Sequence, residues 1–323
     1  MATPANTGLT YNDKDISIRE DLDDVLYKIS PTETPFMQMA GRGKAENTLH
    51  EWLVTELAAA VDTNAVKEGD DADNDATNSG LRFANYCQLM DKVAAVSSTN
   101  EAVNSAGNLT KMSTQVAYKV QELKRDMEKT FLSNKIAYAG VSTTARTMAS
   151  FSQFINTNVS RGSGGASSTL SGSTQGYPSV VSTDSSTQRA LTETLLKDVV
   201  QLAWTEGGTP KKIICGAFNK RVISSFSGNA TRMKDADDKK LIASIDVYVS
   251  DFGELQVVPD RFSRTRDLYV IDPDYVSVDY LQTMKQAPLA KTGHADRRMV
   301  SVECTLKVHN EKAHGAVYDL LTS

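Results

Sequence analysis

Hydrophobic positions change period several times along the chain, and each change predicts an element. The longest regular stretch runs Leu109, Met112, Val116, Val120, Leu123, Met127 and Phe131, at spacings of 3, 4, 4, 3, 4 and 4. That is one continuous apolar stripe on a helix. Opposite charges at helical neighbour positions, Glu122 with Arg125, Lys124 with Glu128 and Asp126 with Lys129, are expected on its solvated side. Taken from about 108 to 138, the helix would span roughly 45 Å at 1.5 Å per residue. The sharpest period-two alternation is near the end of the chain: Val300, Val302, Cys304, Leu306 and Val308 against Ser301, Glu303, Thr305, Lys307 and His309. This predicts a strand with one buried face. After a turn at "NEKAHG", "AVYDLL" is expected to pair back onto it.

Less regular stretches complete the map. In "REDLDDVLYKI", Leu22, Val25, Leu26 and Ile29 fall at helical spacing before Pro31 and Pro35 end the pattern. So short a helix needs a surface to lie on. Strand character from His50 to Leu57 resumes from Asn85 to Ser98, with an intervening segment far longer than a hairpin loop. The expectation is a long two-stranded excursion with a polar tip. Residues 160–187, rich in Ser, Gly and Thr, read as a surface loop. Then comes an α/β segment: a helix from about Thr192 ending at Gly207-Gly208, the strand "KKIIC", and a helix marked by Phe218, Val222 and Phe226. The runs "IDVYVSDFGELQVVP" and "DLYVIDPDYVSVDYL", each broken by a turn, are expected to be paired strands.

Composition narrows the function. The chain has 323 residues, 40% of them hydrophobic, enough for a sizeable core in about two compact parts. A net charge of -5 argues against a bulk electrostatic grip on nucleic acid. Three distant cysteines, Cys87, Cys215 and Cys304, suit reduced thiols. No signal peptide or membrane-spanning apolar run is readable.

Candidate chemistry is sparse. The stretch "EGDDADNDATNSG" places Asp70, Asp71, Asp73 and Asp75 close together. A calcium loop begun at Asp71 would need Gly where Ala76 stands and Glu where Arg82 stands, so a solvated tip is expected and a calcium-dependent surface-binding protein is the alternative. Zinc on Cys304, His309 and His314 is disfavoured by strand alternation, leaving a buried thiol and surface histidines. Lys211-Lys212, Lys239-Lys240 and "RFSRTR" (261–266) read as solvated basic faces. Neither a nucleophile elbow nor a phosphate loop is present, and no catalytic residue, metal or cofactor is expected.

The protruding pieces carry Leu22, Leu26, Phe36, Trp52, Leu53, Tyr86 and Met90. Leaving several of them wet would cost multiple kcal/mol at about 25 cal/mol per Å², so a neighbouring copy is the expected cover. The strings "IREDLDDVLYKISPTETPFMQMAGRGKA", "HEW", "EGDDA", "ELKRDMEK", "YVSDFG" with "VVP", "LAKTG" and "NEKAHG" closely resemble tailed-phage major capsid proteins of the Hong Kong phage (HK97-like) type, from about residue 8 to the C-terminus.

That resemblance implies an α+β fold: an N-arm over 1–47, an extended two-stranded E-loop over 48–99, and a P domain over 100–189 with its spine helix at 108–138. An α/β A domain follows over 190–286, and 287–323 returns to the P domain. It implies a shell of pentamers and hexamers around double-stranded DNA held by weak contact only. A portal and decoration or cement proteins would be further partners, with no membrane involved, and assembly would take place in the host bacterial cytoplasm. Expected inter-subunit contacts are Leu22, Leu26, Phe36, Trp52, Leu53, Lys67, Asp70, Asp71, Asp73, Tyr86 and Met90. Some members join subunits through a lysine–asparagine isopeptide bond; Lys67 and Asn310 are present here, but no motif marks either, and linkage is not expected. With only an arm ahead of the E-loop and Met1 at the start, no cleavable scaffold domain is expected. Encapsulins share the fold and enclose enzymes instead of DNA; "SPTETPF" favours the phage proteins.

Overall fold

The computed structural model describes residues 32–69, 71, 80–103, 111–226 and 247–323. A short helix α1 (Pro35–Met39) leads into strand β1 (Gly41–Lys44). Strands β2 (Leu49–Val54) and β3 (Leu81–Tyr86) pair antiparallel, and β4 (Gln88–Ser97) continues into a different sheet. Helices α2 (Ser98–Ala102) and α3 (Met112–Phe131) follow. Short strands β5 (Val159–Ser160), β6 (Thr169–Leu170) and β7 (Pro178–Val180) cross the Ser/Gly-rich region. Then come α4 (Glu193–Thr205), β8 (Lys212–Cys215), α5 (Ala217–Ser224), β9 (Val247–Ser250), β10 (Gly253–Pro259) and β11 (Leu268–Ile271). The long strands β12 (Val276–Pro288) and β13 (Ala295–Val308) precede β14 (Gly315–Val317).

Two sheets organise the chain. The first has the order β1-β12-β13-β4, built on the β12–β13 hairpin. Its inward residues, Met90, Val300, Val302, Cys304 and Leu306, share one core with Leu123, Met127 and Phe131 of α3. This is the alternation and the helical stripe meeting face to face. The second sheet, β5-β14-β11-β8-β10-β9, is mixed: β8 runs parallel to β10, and β5 to β14. Its central strands are buried apart from the half-buried Lys212, and Leu196, Val199 and Val200 of α4 join Ile213, Leu268, Val270, Val317 and Leu320 in a second core. Thr192 caps α4 by accepting from the Leu195 N–H at 3.4 Å, and Gly207 closes it at φ 91°.

Several expectations change. The spine helix is described from Met112 to Phe131, 20 residues, about 30 Å instead of 45 Å. Leu109 lies outside the described residues, and beyond Phe131 the buried Leu132 caps the helix before the chain turns at Ser133. The 48–99 excursion is two-stranded only between β2 and β3; β4 is a strand of the first sheet, because Met90, Ala94 and Val96 find cover there. The segment "AVYDLL" does not pair with β13: β14 lies between β11 and β5 in the second sheet. Strands β9 and β10 do pair, whereas β11 and β12 enter different sheets on either side of Pro273. A boundary at 286–287 would cut the β12–β13 hairpin, so strand pairing puts β12 with the first sheet and β14 with the second. Among the described residues no helix is long and apolar enough to cross a membrane.

Candidate assembly interface

The β2–β3 ribbon is anchored on the first sheet by one face. Trp52 and Val54 point inward, with the Trp52 ring centroid 5.9 Å from that of Phe154. Asn85 of β3 is buried and acts as a staple: its Nδ2 donates to the carbonyls of Ala149 (3.3 Å) and Leu306 (2.8 Å), while its Oδ1 accepts from the Ala149 N–H at 2.8 Å. Beyond the ribbon, residues 55–67 carry no regular structure, and Leu57, Val61 and Val66 are 98%, 68% and 87% exposed. Three large aliphatics on one loop are therefore left in water by the chain itself.

The loop's base is tied down by charge. Lys312 Nζ reaches Glu56 Oε2 at 2.8 Å and Glu206 Oε2 at 3.0 Å, joining loop, α4 terminus and the turn after β13; the hydrogen bond to Glu56, then that to Glu206, hold the lysine's pKa above its ordinary value. Next to it Glu311 accepts from the N–H groups of Asn156 (2.6 Å) and Thr157 (3.2 Å). A groove of about 640 Å³ opens here, between Val54, Phe83, Phe154, Leu170 and Asn310.

A second tie joins the Ser/Gly-rich region to the second sheet. Asp319, fully buried, accepts from Ser185 N–H (2.8 Å), Gly162 N–H (3.0 Å) and Arg266 Nη2 (2.8 Å). Arg264 pairs with Asp184 and, at 3.1 Å, with Asp267, whose pKa burial pushes up to about 6. "RFSRTR" is therefore not a solvated basic face. Arg264 and Arg266 satisfy buried aspartates that the linear pattern placed far from them.

A third tie concerns the segment that leaves the N-terminal region. Glu128 of α3 is fully buried and accepts from the N–H groups of Phe36 (2.6 Å) and Met37 (3.0 Å) at the start of α1. Glu128 was expected on the solvated side of α3 with Lys124. It faces inward, and the expected Glu122–Arg125 and Asp126–Lys129 pairs are replaced by Glu122–Lys119 (2.8 Å) and Asp126–Lys92 (2.7 Å).

The contact residues expected from sequence divide into three groups. Leu22, Leu26, Asp70 and Asp73, with Asp75, lie outside the described residues. Phe36, Trp52 and Met90 are buried in the chain's own core, Phe36 between Phe131 (6.0 Å) and Phe151 (5.4 Å), so the premise that they need a neighbour is overturned. Leu53 (74%), Lys67 and Asp71 are exposed, and Tyr86 is half-buried against Tyr177 at 5.2 Å. Sequence reasoning missed Leu57, Val61 and Val66; the signal was three aliphatics in a polar segment with no periodicity. It also missed Glu128, which sits beside Met127 of the stripe and gave no signal. Asn310 caps its own turn by accepting from Lys312 N–H at 3.1 Å. His314, expected at the surface, is fully buried, and His309 is half-buried. Among the described residues no cluster of His, Cys, Asp or Glu could hold a metal ion.

The α/β second sheet, the first sheet backed by the spine helix α3 and the protruding ribbon together make the HK97-like capsid fold. A chain of the Cyanophage A-1(L) capsid asymmetric unit superposes with a TM-score of 0.66 at 14% identity, over 98% of this chain and 100% of that one. The SrpI encapsulin of Synechococcus elongatus PCC 7942 superposes less well, with a TM-score of 0.52 at 10% identity over 98% of this chain and 97% of that one. The major capsid protein of Escherichia phage Phieco32 is 23% identical over 324 residues, covering 90% of this chain and 91% of its own. The chain belongs to the SU10 major capsid protein family, whose sequence profile matches residues 3–321. It is a structural protein of the virion, and its copies form the phage capsid shell.

Proposed function

We propose that this chain closes its shell by laying residues 53–80 of each copy across the next, where Leu53, Leu57, Val61 and Val66 leave water and Lys67, Asp70, Asp71 and Asp73 meet polar groups at the rim. The exposure of Leu57, Val61 and Val66 on a loop whose base is held by Asn85 and Lys312 carries this reading. Burying each such side chain contributes about 1.5–3 kcal/mol, repeated at every contact of the shell. The first sheet with α3 serves as the P domain and the second sheet with α4 and α5 as the A domain, meeting its copies around pentamer and hexamer axes. The enclosed cargo is double-stranded DNA, which an acidic wall of net charge -5 touches weakly. A portal occupies one vertex, and assembly proceeds in the host bacterial cytoplasm. No catalysis is assigned to the chain.

The test replaces Leu57, Val61 and Val66 together by Ser. The subunit's unfolding free energy from urea titration should stay within the roughly 0.5 kcal/mol typical of exposed sites, while shell yield on density gradients collapses. Normal shells of normal stability would refute the loop's role and leave the capsid family untouched.

A further inference from the structure

The buried end of α1 points to a device that the shell function does not require. Glu128 and Asp260 are both carboxyl groups sealed from solvent, 0% and 2% exposed, and they face one another. Glu128 holds the first two N–H groups of α1, those of Phe36 and Met37. Asp260 Oδ1 accepts from Phe262 N–H at 2.7 Å, and the Ser263 N–H also favours the ionised carboxyl, but Asp260 Oδ2 is buried with no hydrogen-bond partner among the described residues. Helix α1 brings no charged side chain to the pair, and Arg125 of α3, one turn before Glu128, is spent over the Phe262 ring at 5.6 Å. Two carboxylates in contact without a cation cannot both stay ionised in a dry site. A carboxyl proton supplies the donor that Asp260 Oδ2 lacks.

We propose that Glu128 and Asp260 form a proton-operated latch: with one proton between them they hold Thr34–Met39 on the spine helix, and when that proton passes to water their repulsion lets the segment go. Desolvation, followed by the charge of Asp260, pushes the Glu128 carboxyl up to about 8, against an ordinary 4.5. The closed state therefore binds more protons than the open one between those values. Its advantage is complete in acid, falls by up to about tenfold per pH unit across that interval, and levels off above it. The latch joins three distant parts of the chain, α1, α3 and the end of β10, so opening frees the link between residues 1–31 and the body. Its consequence for a shell rests on the reading above; the latch itself does not.

Amide hydrogen exchange on the full chain tests it, following the peptide that contains Phe36 and Met37 from pH 5 to pH 9, with protection factors corrected for intrinsic exchange. In the unaltered chain protection should fall with rising pH while that of the α3 peptides stays level. Glu128→Gln, which donates to Asp260 without titrating but keeps only one of the two backbone acceptors, should lower protection at every pH and flatten the profile. Asp260→Asn, which removes the like charge, should end the fall at lower pH. A flat profile in the unaltered chain, a fall that persists in Glu128→Gln, or an unmoved one in Asp260→Asn would each overturn the proposal.

Discussion

Replacing Trp52 by Ala separates the two ways in which a ribbon residue can matter. From sequence, Trp52 belongs to a protruding limb and its loss should harm assembly more than folding. In the structure it is 7% exposed and packs 5.9 Å from Phe154 inside the core that includes Met127 and Phe131. Truncating a buried Trp or Phe to Ala typically costs about 3–5 kcal/mol, through lost transfer energy and the cavity left behind. Against a total of about 5–15 kcal/mol, that is a large fraction. With a urea dependence of about 1–3 kcal/mol per molar, the midpoint of the unassembled subunit should drop by more than about 1 M. Trp52→Phe sharpens the argument: Trp52 Nε1 is buried and meets no acceptor among the described residues. Phe keeps most of the ring and removes an unsatisfied donor whose burial costs about 1–3 kcal/mol, so its midpoint should lie near the unaltered one. Circular dichroism across a urea series on unassembled subunits is the assay. An Ala variant with an unchanged midpoint that nevertheless makes no shells would refute the placement of Trp52 in the core and restore it to an interface.

Other outcomes follow from the buried charges. Asp319→Ala leaves the Gly162 and Ser185 N–H groups without their acceptor and takes from Arg266 its nearest carboxylate, though Arg266 keeps the Ser185 carbonyl and Asp184; at about 1–3 kcal/mol for each unmet buried group the unfolding free energy from urea titration should fall by several kcal/mol, with Asp319→Asn costing less. His314 is held neutral: burial lowers its pKa to about 4, Nδ1 accepts from Asp272 N–H at 3.2 Å and Nε2 faces the Tyr275 carbonyl at 3.3 Å. Between about 4 and the ordinary 6.5 the unfolded chain binds the extra proton, so stability should fall as pH drops through that window, by up to about 1.4 kcal/mol per pH unit. The difference in urea midpoint between the unaltered chain and His314→Asn, measured at pH 7 and pH 4.5, isolates this contribution; an equal acid dependence in both would contradict it.

What the linear order of residues determined is everything that repeats. The stripe from Met112 to Phe131 and the alternation from Val300 to Val308 specified a helix and a strand whose apolar faces could cover one another, and they do. Thr192 and Gly207 bounded α4 because a cap and a left-handed residue act over a single turn. The family strings identified the capsid class because a whole set of local solutions recurs together. Pairing was decided elsewhere. Nothing between His309 and Leu320 states that β14 leaves β13 for the second sheet, since Gly315, Ala316 and Val317 would suit either neighbour; burial on both sides of β11 settles it. The same holds for the candidate interface. Exposure is a property of the folded surface, so Trp52 and Leu53, adjacent and both apolar, part company by strand alternation against a core that the linear pattern could not place. Glu128, Asp260, Arg266 and Asp319 look like ordinary surface charges in sequence. They become buried latches and ties because the fold brings each to a partner or an unmet N–H far along the chain, and a charge's role depends on that meeting.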